Sequence, residues 1–233
     1  MPYANTTRDG DFAATHLAVR DTRAALPNLD ATVLEDIETL ENSLLLSDFR
    51  LAGAEMLSLE LSGQRLATGY VGGLRTRNAK LSDVRMDSVD FAGCELSRAT
   101  FTGGKWSRVR LTDCKILSGQ FRDLTFENVV FDHCKLDLAV FQAVTAKGPV
   151  IFRNCSLEET WFTGCTLSHV AFEDCRMVAT SFQRSACKGT DLRGNDLSRI
   201  CGIPSLAQAV IDPAQVLQLG HALVIDLELR LTD

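Results

Sequence analysis

Eight cysteines and four histidines in 233 residues are the side chains from which a metal site, a disulfide framework or a thiol nucleophile would be built. Five of the cysteines, Cys94, Cys114, Cys134, Cys155 and Cys175, follow one another at intervals of 20, 20, 21 and 20 residues. Zinc sites and redox dithiols use closely spaced pairs such as C-x-x-C, because two ligands must reach one ion from a single turn. No such pair occurs. His133 stands beside Cys134, but adjacent residues of an extended chain point in opposite directions. His16, His169 and His221 are scattered. No H-E-x-x-H, phosphate-binding glycine loop or nucleophile–base pattern is found. These observations predict a protein that is not an enzyme and has no metal or cofactor, with its thiols serving as small buried hydrophobes.

An interval of 20 residues asks what element repeats with that length, and the finer period is five. Stepping by five from Leu51 to Ala146, and after one inserted residue from Phe152 to Leu197, gives 30 positions, of which 29 are apolar; Thr76 is the exception. Ten of the twelve phenylalanines lie on this series. The position two residues earlier is small or medium-sized, as at Cys94, Ala99, Gly104, Val109 and Thr160. Five matches neither the 3.6 of a helix nor the 2 of a flat strand. Two inward and three outward positions per five residues describe a wall that turns a corner at each step. Phe101, Phe121, Phe141, Phe162 and Phe182 are spaced 20, 20, 21 and 20, like the cysteines, so both series absorb the same insertion near Lys147-Gly148-Pro149. A coil of four five-residue steps accounts for both.

Over about residues 49–199 the chain resembles the pentapeptide-repeat family, whose consensus is close to Ala-Asp/Asn-Leu/Phe-x-x. That resemblance implies an all-β fold, a right-handed quadrilateral β-helix with short helical caps. Thirty steps make about 7.5 coils, or about 36 Å at the strand spacing of about 4.8 Å. Trp106 falls on an inward position, and Trp161 falls outside.

Solenoid ends expose unpaired backbone and need caps. The chain divides into an N-terminal extension and cap over 1–45, the β-helix over 46–200, and a C-terminal helix and strand over 201–233. Val33, Ile37, Leu40 and Leu44 have helical spacing, which predicts a helix over 30–44 with Asp30 as N-cap; residues 11–19, around Phe12 and Leu17, offer an alternative first coil. Asp212-Pro213-Ala214-Gln215 reads as an N-cap, a first-turn proline and a capping-box glutamine, with Val216, Leu219 and Leu223 facing one side. Ile225, Leu227, Leu229 and Leu231 then alternate with charges, as in a strand with one apolar face. This tail resembles that of the bacterial quinolone-resistance and gyrase-inhibitor members, which implies homodimerisation through it.

Charge is uneven. Residues 1–48 hold nine acids and three bases, whereas residues 49–199 hold 17 acids and 20 bases. The register collects six acids, Asp90, Asp113, Asp132, Glu173, Asp174 and Asp191, on one face, with Arg50, Arg110, Arg153 and Arg193 among them. Another face carries Arg65, Arg85, Lys105, Arg108, Lys147 and Lys188 against Asp87 and Glu127. The resemblance implies a DNA mimic that uses its acidic face to bind DNA gyrase or topoisomerase IV and modulates the enzyme or protects it from topoisomerase poisons, a route to antibiotic resistance. The alternative is an interaction scaffold with an unrelated partner, for which the basic face suits an acidic surface. A pI of about 5.3 disfavours direct nucleic-acid binding. The polar N-terminus lacks the features of a signal peptide, and no 18-residue apolar run occurs. A cytoplasmic protein with no membrane partner is expected.

Overall fold

The computed structural model describes residues 15–41 and 43–230. From Leu45 onward the chain forms a β-solenoid of about seven turns. One sheet runs from β3 (Glu35–Asp36) and β4 (Leu45–Ala52) through Arg65–Gly72, Arg85–Ala92, Lys105–Thr112, Thr125–Asp132 and Val150–Arg153 to Val170–Glu173. A second runs from Glu55–Ser62 to Ser181–Gln183. Every pairing in both is parallel, with each residue opposite the one a coil away, as in Leu111↔Phe131↔Phe152↔Phe172.

The corners follow from the backbone. Residues at the corners adopt positive φ, as at Asp113 (54°), Asn128 (57°) and Glu159 (52°). Asp, Asn and Gly tolerate this left-handed conformation best, and one corner column runs from Gly53 through Asp113 and Asn154 to Asp174. Gly69 serves a different need. A Cβ there would lie 2.1 Å from the ring of Phe49, which fills the small inward position one coil earlier.

The interior is stacked rather than merely filled. Ring centroids along Phe101, Phe121, Phe141, Phe162 and Phe182 are 4.9, 4.4, 4.8 and 5.2 Å apart. A second stack, Phe131, Phe152 and Phe172, repeats at 4.7 and 5.0 Å. The stacks meet edge to face, as for Phe131 and Phe141 at 90°, which suits the ring quadrupoles. The single insertion falls between the Phe126↔Ala146 and Val129↔Val150 pairings, and stacking resumes at once. Trp106 is buried, and Trp161 is 44% exposed. At Thr76 the hydroxyl turns back to bond the backbone of Asn78, and the wall opens into a shallow groove of about 460 Å³ over Met56 and Thr76.

The cysteine column has a hydrogen-bonding function that composition alone did not reveal. Each thiol lies against a carbonyl of the previous coil, as in Cys134 Sγ to the Leu111 oxygen at 3.3 Å. At the equivalent small positions Thr160, Thr180, Ser185 and Thr190 donate their hydroxyls to such carbonyls, and Asn195 ends the cysteine column by donating to the Phe172 oxygen. At these positions a small side chain with a donor gives an inward-pointing carbonyl of the previous coil a partner.

The ends depart from expectation. The helix predicted over 30–44 is not formed. Asp30 closes a turn by accepting from the Thr32 amide at 2.9 Å, and β3 then lies parallel on β4. The open edge of β4 offers backbone partners in place, and they outweigh the helical spacing; Leu34 and Leu40 are buried while Val33 and Leu44 are exposed. The alternative first coil is not formed either. β1 (His16–Val19) and β2 (Thr22–Ala25) make an antiparallel hairpin on the outside of the rod; Phe12 lies outside the described residues.

At the other end bridging continues past residue 200, through Ser181↔Cys201 and Asp191↔Val210. The helix α1 spans Gln215–Asp226. Gln215 reaches back to the Asp212 amide at 2.7 Å as the capping box requires, and its amide donates to the Leu192 and Asn195 carbonyls of the last coil. Asp212 instead accepts from Gly194. The predicted strand at Ile225 is corrected: α1 runs through it, because the Asp226 carboxylate accepts the free amides of Gly202 and Ile203 and so closes the rod. Leu227 and Leu229 follow as a turn and irregular chain, and Leu231 lies outside the described residues. The helix docks through Gln215, Gln218, Leu219 and Ala222, so Val216 is exposed and does not share one side with Leu219 as the spacing predicts.

Candidate interaction surfaces

Three of the six acids proposed as a contact face are held in ion pairs, two of them between coils. Asp90, 2% exposed, takes a bidentate fork from Arg110 one coil on, at 3.0 and 2.5 Å. Asp132 takes the same fork from Arg153 at 3.0 and 2.5 Å, with His133 at 2.9 Å. Asp191 is held by Arg193 at 2.6 Å and by Arg20 at 3.6 Å. Forked, charge-assisted pairs of this kind are strong and directional. Burial pushes the Asp132 carboxyl up, but the hydrogen bond and charge of Arg153 prevail and hold it below its ordinary value. At Asp191 burial is likewise outweighed by Arg193 and Arg20. Asp113 and Asp174, at left-handed corners, are exposed, and Glu173 is half-buried. No cation lies within 4 Å of these three carboxylates among the described residues. About half of the expected acidic display is thus internally neutralised.

The same flank is also covered. Residues 130, 151 and 171 occupy one outward column, in which the neighbouring coils carry Arg50, Tyr70, Asp90, Arg110 and Asp191. Here the column reads Val130, Ile151, Ala171, and all three are fully buried beneath Leu17, Val19, Ala24 and Leu26 of the N-terminal hairpin. The sequence carried this signal as three successive apolar residues at a polar position, but the hairpin could not be paired with them from spacing alone.

On the basic face Lys105 pairs with Glu127 at 2.5 Å, and Arg108 with Asp87. Arg65 and Arg85 stand in direct register and have no carboxylate within 4 Å among the described residues. With Met86, Asp87, Lys105 and Ser107 they line a groove of about 300 Å³. At the C-terminal end α1 and the residues after it leave Val216, Leu217, Ile225, Leu227 and Leu229 exposed, Leu217 at 78%. Among the described residues no three His, Cys, Asp or Glu side chains converge as a metal site would require, and no helix is long and apolar enough to cross a membrane.

Family models agree with this geometry. A model described as a pentapeptide repeat region matches residues 124–200, and one described as pentapeptide repeats (8 copies) matches residues 77–105. Among solved structures, trypsin-treated QnrB1, a plasmid-mediated fluoroquinolone resistance protein, is similar at 15% identity, covering 76% of this chain and 99% of that one, with a TM-score of 0.41. HetL, a pentapeptide repeat protein involved in heterocyst differentiation regulation from the cyanobacterium Nostoc sp. strain PCC 7120, is similar at 17% identity, covering 74% of this chain and 88% of that one, with a TM-score of 0.39. No curated protein matches the chain.

Proposed function

Because this chain belongs to the pentapeptide-repeat family, we propose that it is a non-enzymatic binding protein whose partner is a bacterial type II topoisomerase, DNA gyrase or topoisomerase IV. The observation that supports this reading is the unbroken parallel register of the coils. It holds outward side chains in rigid columns about 4.8 Å apart, a linear charge display suited to an enzyme that grips a linear polyanion. Asp113, Glu173 and Asp174 are the acids available for that contact, spread over about three coils. The resemblance of the repeats to quinolone-resistance and gyrase-inhibitor members motivates the choice of partner. Eight unpaired cysteines suit a reducing cytoplasm.

The working form in this reading is a homodimer. The exposed apolar residues of α1 and its tail, Leu217, Ile225, Leu227 and Leu229, supply the surface, with Leu231 beyond them in the chain. A second reading, a scaffold for an acidic partner, is favoured by one observation: Arg65 and Arg85 are stacked in register with no carboxylate within 4 Å among the described residues, an arrangement that is unfavourable until an anion arrives.

Equilibrium binding of purified gyrase and topoisomerase IV to the immobilised protein, over a range of salt, separates the readings. The first expects binding that weakens with salt and is reduced by Asp113→Lys and Asp174→Lys. Binding reduced only by Arg65→Glu and Arg85→Glu supports the second. No binding of either enzyme removes the topoisomerase reading.

A further inference from the structure

The N-terminal hairpin covers a surface built to receive it. At its tip Arg20, in a left-handed conformation (φ 50°), sends its guanidinium into a seat made by the last coils. It donates to the Arg193 carbonyl at 2.6 Å and the Phe172 carbonyl at 3.4 Å, and lies 3.6 Å from the Asp191 carboxylate. Gly194 leaves the room: a Cβ there would stand 2.7 Å from the guanidinium nitrogen. Asp21 meets Arg193 at 3.1 Å from the other side. Beside this seat lies the ledge of Val130, Ile151 and Ala171, whose apolar cluster with the hairpin is separate from the rod's core. Beyond the seat, among the described residues, the hairpin is joined to the rod by one further hydrogen bond, Ala25 amide to Asn128 at 3.0 Å. The chain then leaves through Pro27.

We propose that the ledge and the guanidinium seat together form a docking surface for a β-hairpin segment of a partner protein that carries an arginine at its turn and aliphatic residues on its arms, and that the N-terminal hairpin is the intramolecular occupant such a segment displaces. The inference rests on the reading of this rod as a protein-binding molecule, whichever partner it has. The physical argument is modularity. The rod's core and coil-to-coil hydrogen bonds close without the hairpin, so lifting it uncovers the ledge and leaves two carbonyls and a carboxylate ready for another cation. The chemistry of the occupant is that of the hairpin itself, an arginine matched to Asp191 and aliphatic side chains matched to an aliphatic ledge.

The test uses the full chain with Ile151→Cys as a reporter in a Cys201→Ser background, the remaining cysteines being buried. Maleimide labelling of residue 151 reports lifting of the hairpin. Arg20→Ala is expected to raise that rate at least tenfold while the coil thiols stay unlabelled. A rate unchanged by Arg20→Ala, or labelling of residue 151 only together with the coil thiols, overturns the proposal. Should Arg20→Ala lower the melting temperature of the rod, Arg20→Lys, which keeps the charge and loses the fork, takes its place. A fluorescent peptide of residues 15–26 is then titrated onto both proteins. Capture by the unlatched protein at least tenfold tighter than by the latched one, and loss of capture when the peptide itself carries Arg20→Ala, support the docking surface. A ledge that opens but does not capture the peptide refutes it. Neither arm contains a topoisomerase, so their failure is distinct from failure of that reading.

Discussion

Removing the Asp132 carboxylate should destabilise the rod rather than relieve its surface charge. Asp132 is 8% exposed and accepts both arms of the Arg153 fork across one coil. Truncation to Ala strands the guanidinium. Breaking a buried pair costs about 3–5 kcal/mol, but Arg153 retains 32% side-chain exposure and can turn to water, which brings the expectation to about 2–3 kcal/mol. At roughly 2–4 °C per kcal/mol for a chain of this size, the melting temperature falls by about 4–12 °C. The control is Asp113→Asn, which keeps a residue suited to the left-handed corner and touches no cation; it should stay within about 0.5 kcal/mol. Urea unfolding of Asp132→Ala, Arg153→Ala and the double variant completes the cycle, with a coupling above about 1 kcal/mol expected. A loss below about 0.5 kcal/mol for Asp132→Ala, with no coupling, would refute the brace and return Asp132 to the free acids.

The same pairs set an acid limit. The folded-state carboxyls of Asp132 and Asp191 are held below their ordinary value, so their contribution is present above the unfolded pKa of about 3.9 and is lost as pH falls through the folded one. Chemical denaturation at stepped pH should show stability declining below about pH 4, and Asp132→Asn should flatten that decline. Burial raises the Cys165 and Cys187 thiols to about 11, so they stay protonated at neutral pH; thiol titration should count eight groups in denaturant, with Cys201 the first to react in the native state. Leu217→Asp with Ile225→Asp should convert a dimer to a folded monomer by light scattering; a wild-type chain already monomeric at micromolar concentration refutes the dimer.

The coil was legible because its period is enforced at every step. An inward phenylalanine displaced by one residue would leave its stack and face water, so thirty positions had to agree. The insertion was legible for the same reason, since two independent series shifted together. The ends lacked such redundancy. Val33, Ile37, Leu40 and Leu44 satisfy a helical pattern over four positions only, and the exposed edge of β4 offered a better set of backbone partners. Ile225 to Leu231 fit a strand by alternation, but the amides of Gly202 and Ile203 needed an acceptor, and Asp226 on a helix reaches them. The acidic face was misjudged on a different ground. Register places Arg110 and Arg153 one coil from Asp90 and Asp132, and Arg193 two residues from Asp191, but does not show that their guanidinium groups fork onto these carboxylates. Nor could it show that the hairpin lies over Val130, Ile151 and Ala171.

Topoisomerase binding is best decided by a DNA supercoiling assay with purified gyrase, run over increasing concentrations of this protein with and without a quinolone. A dose-dependent change in supercoiling or in drug-stabilised cleavage is expected, weakened by salt and reduced by the double variant Asp113→Lys/Asp174→Lys. An unchanged assay at concentrations where the protein is folded would contradict topoisomerase binding.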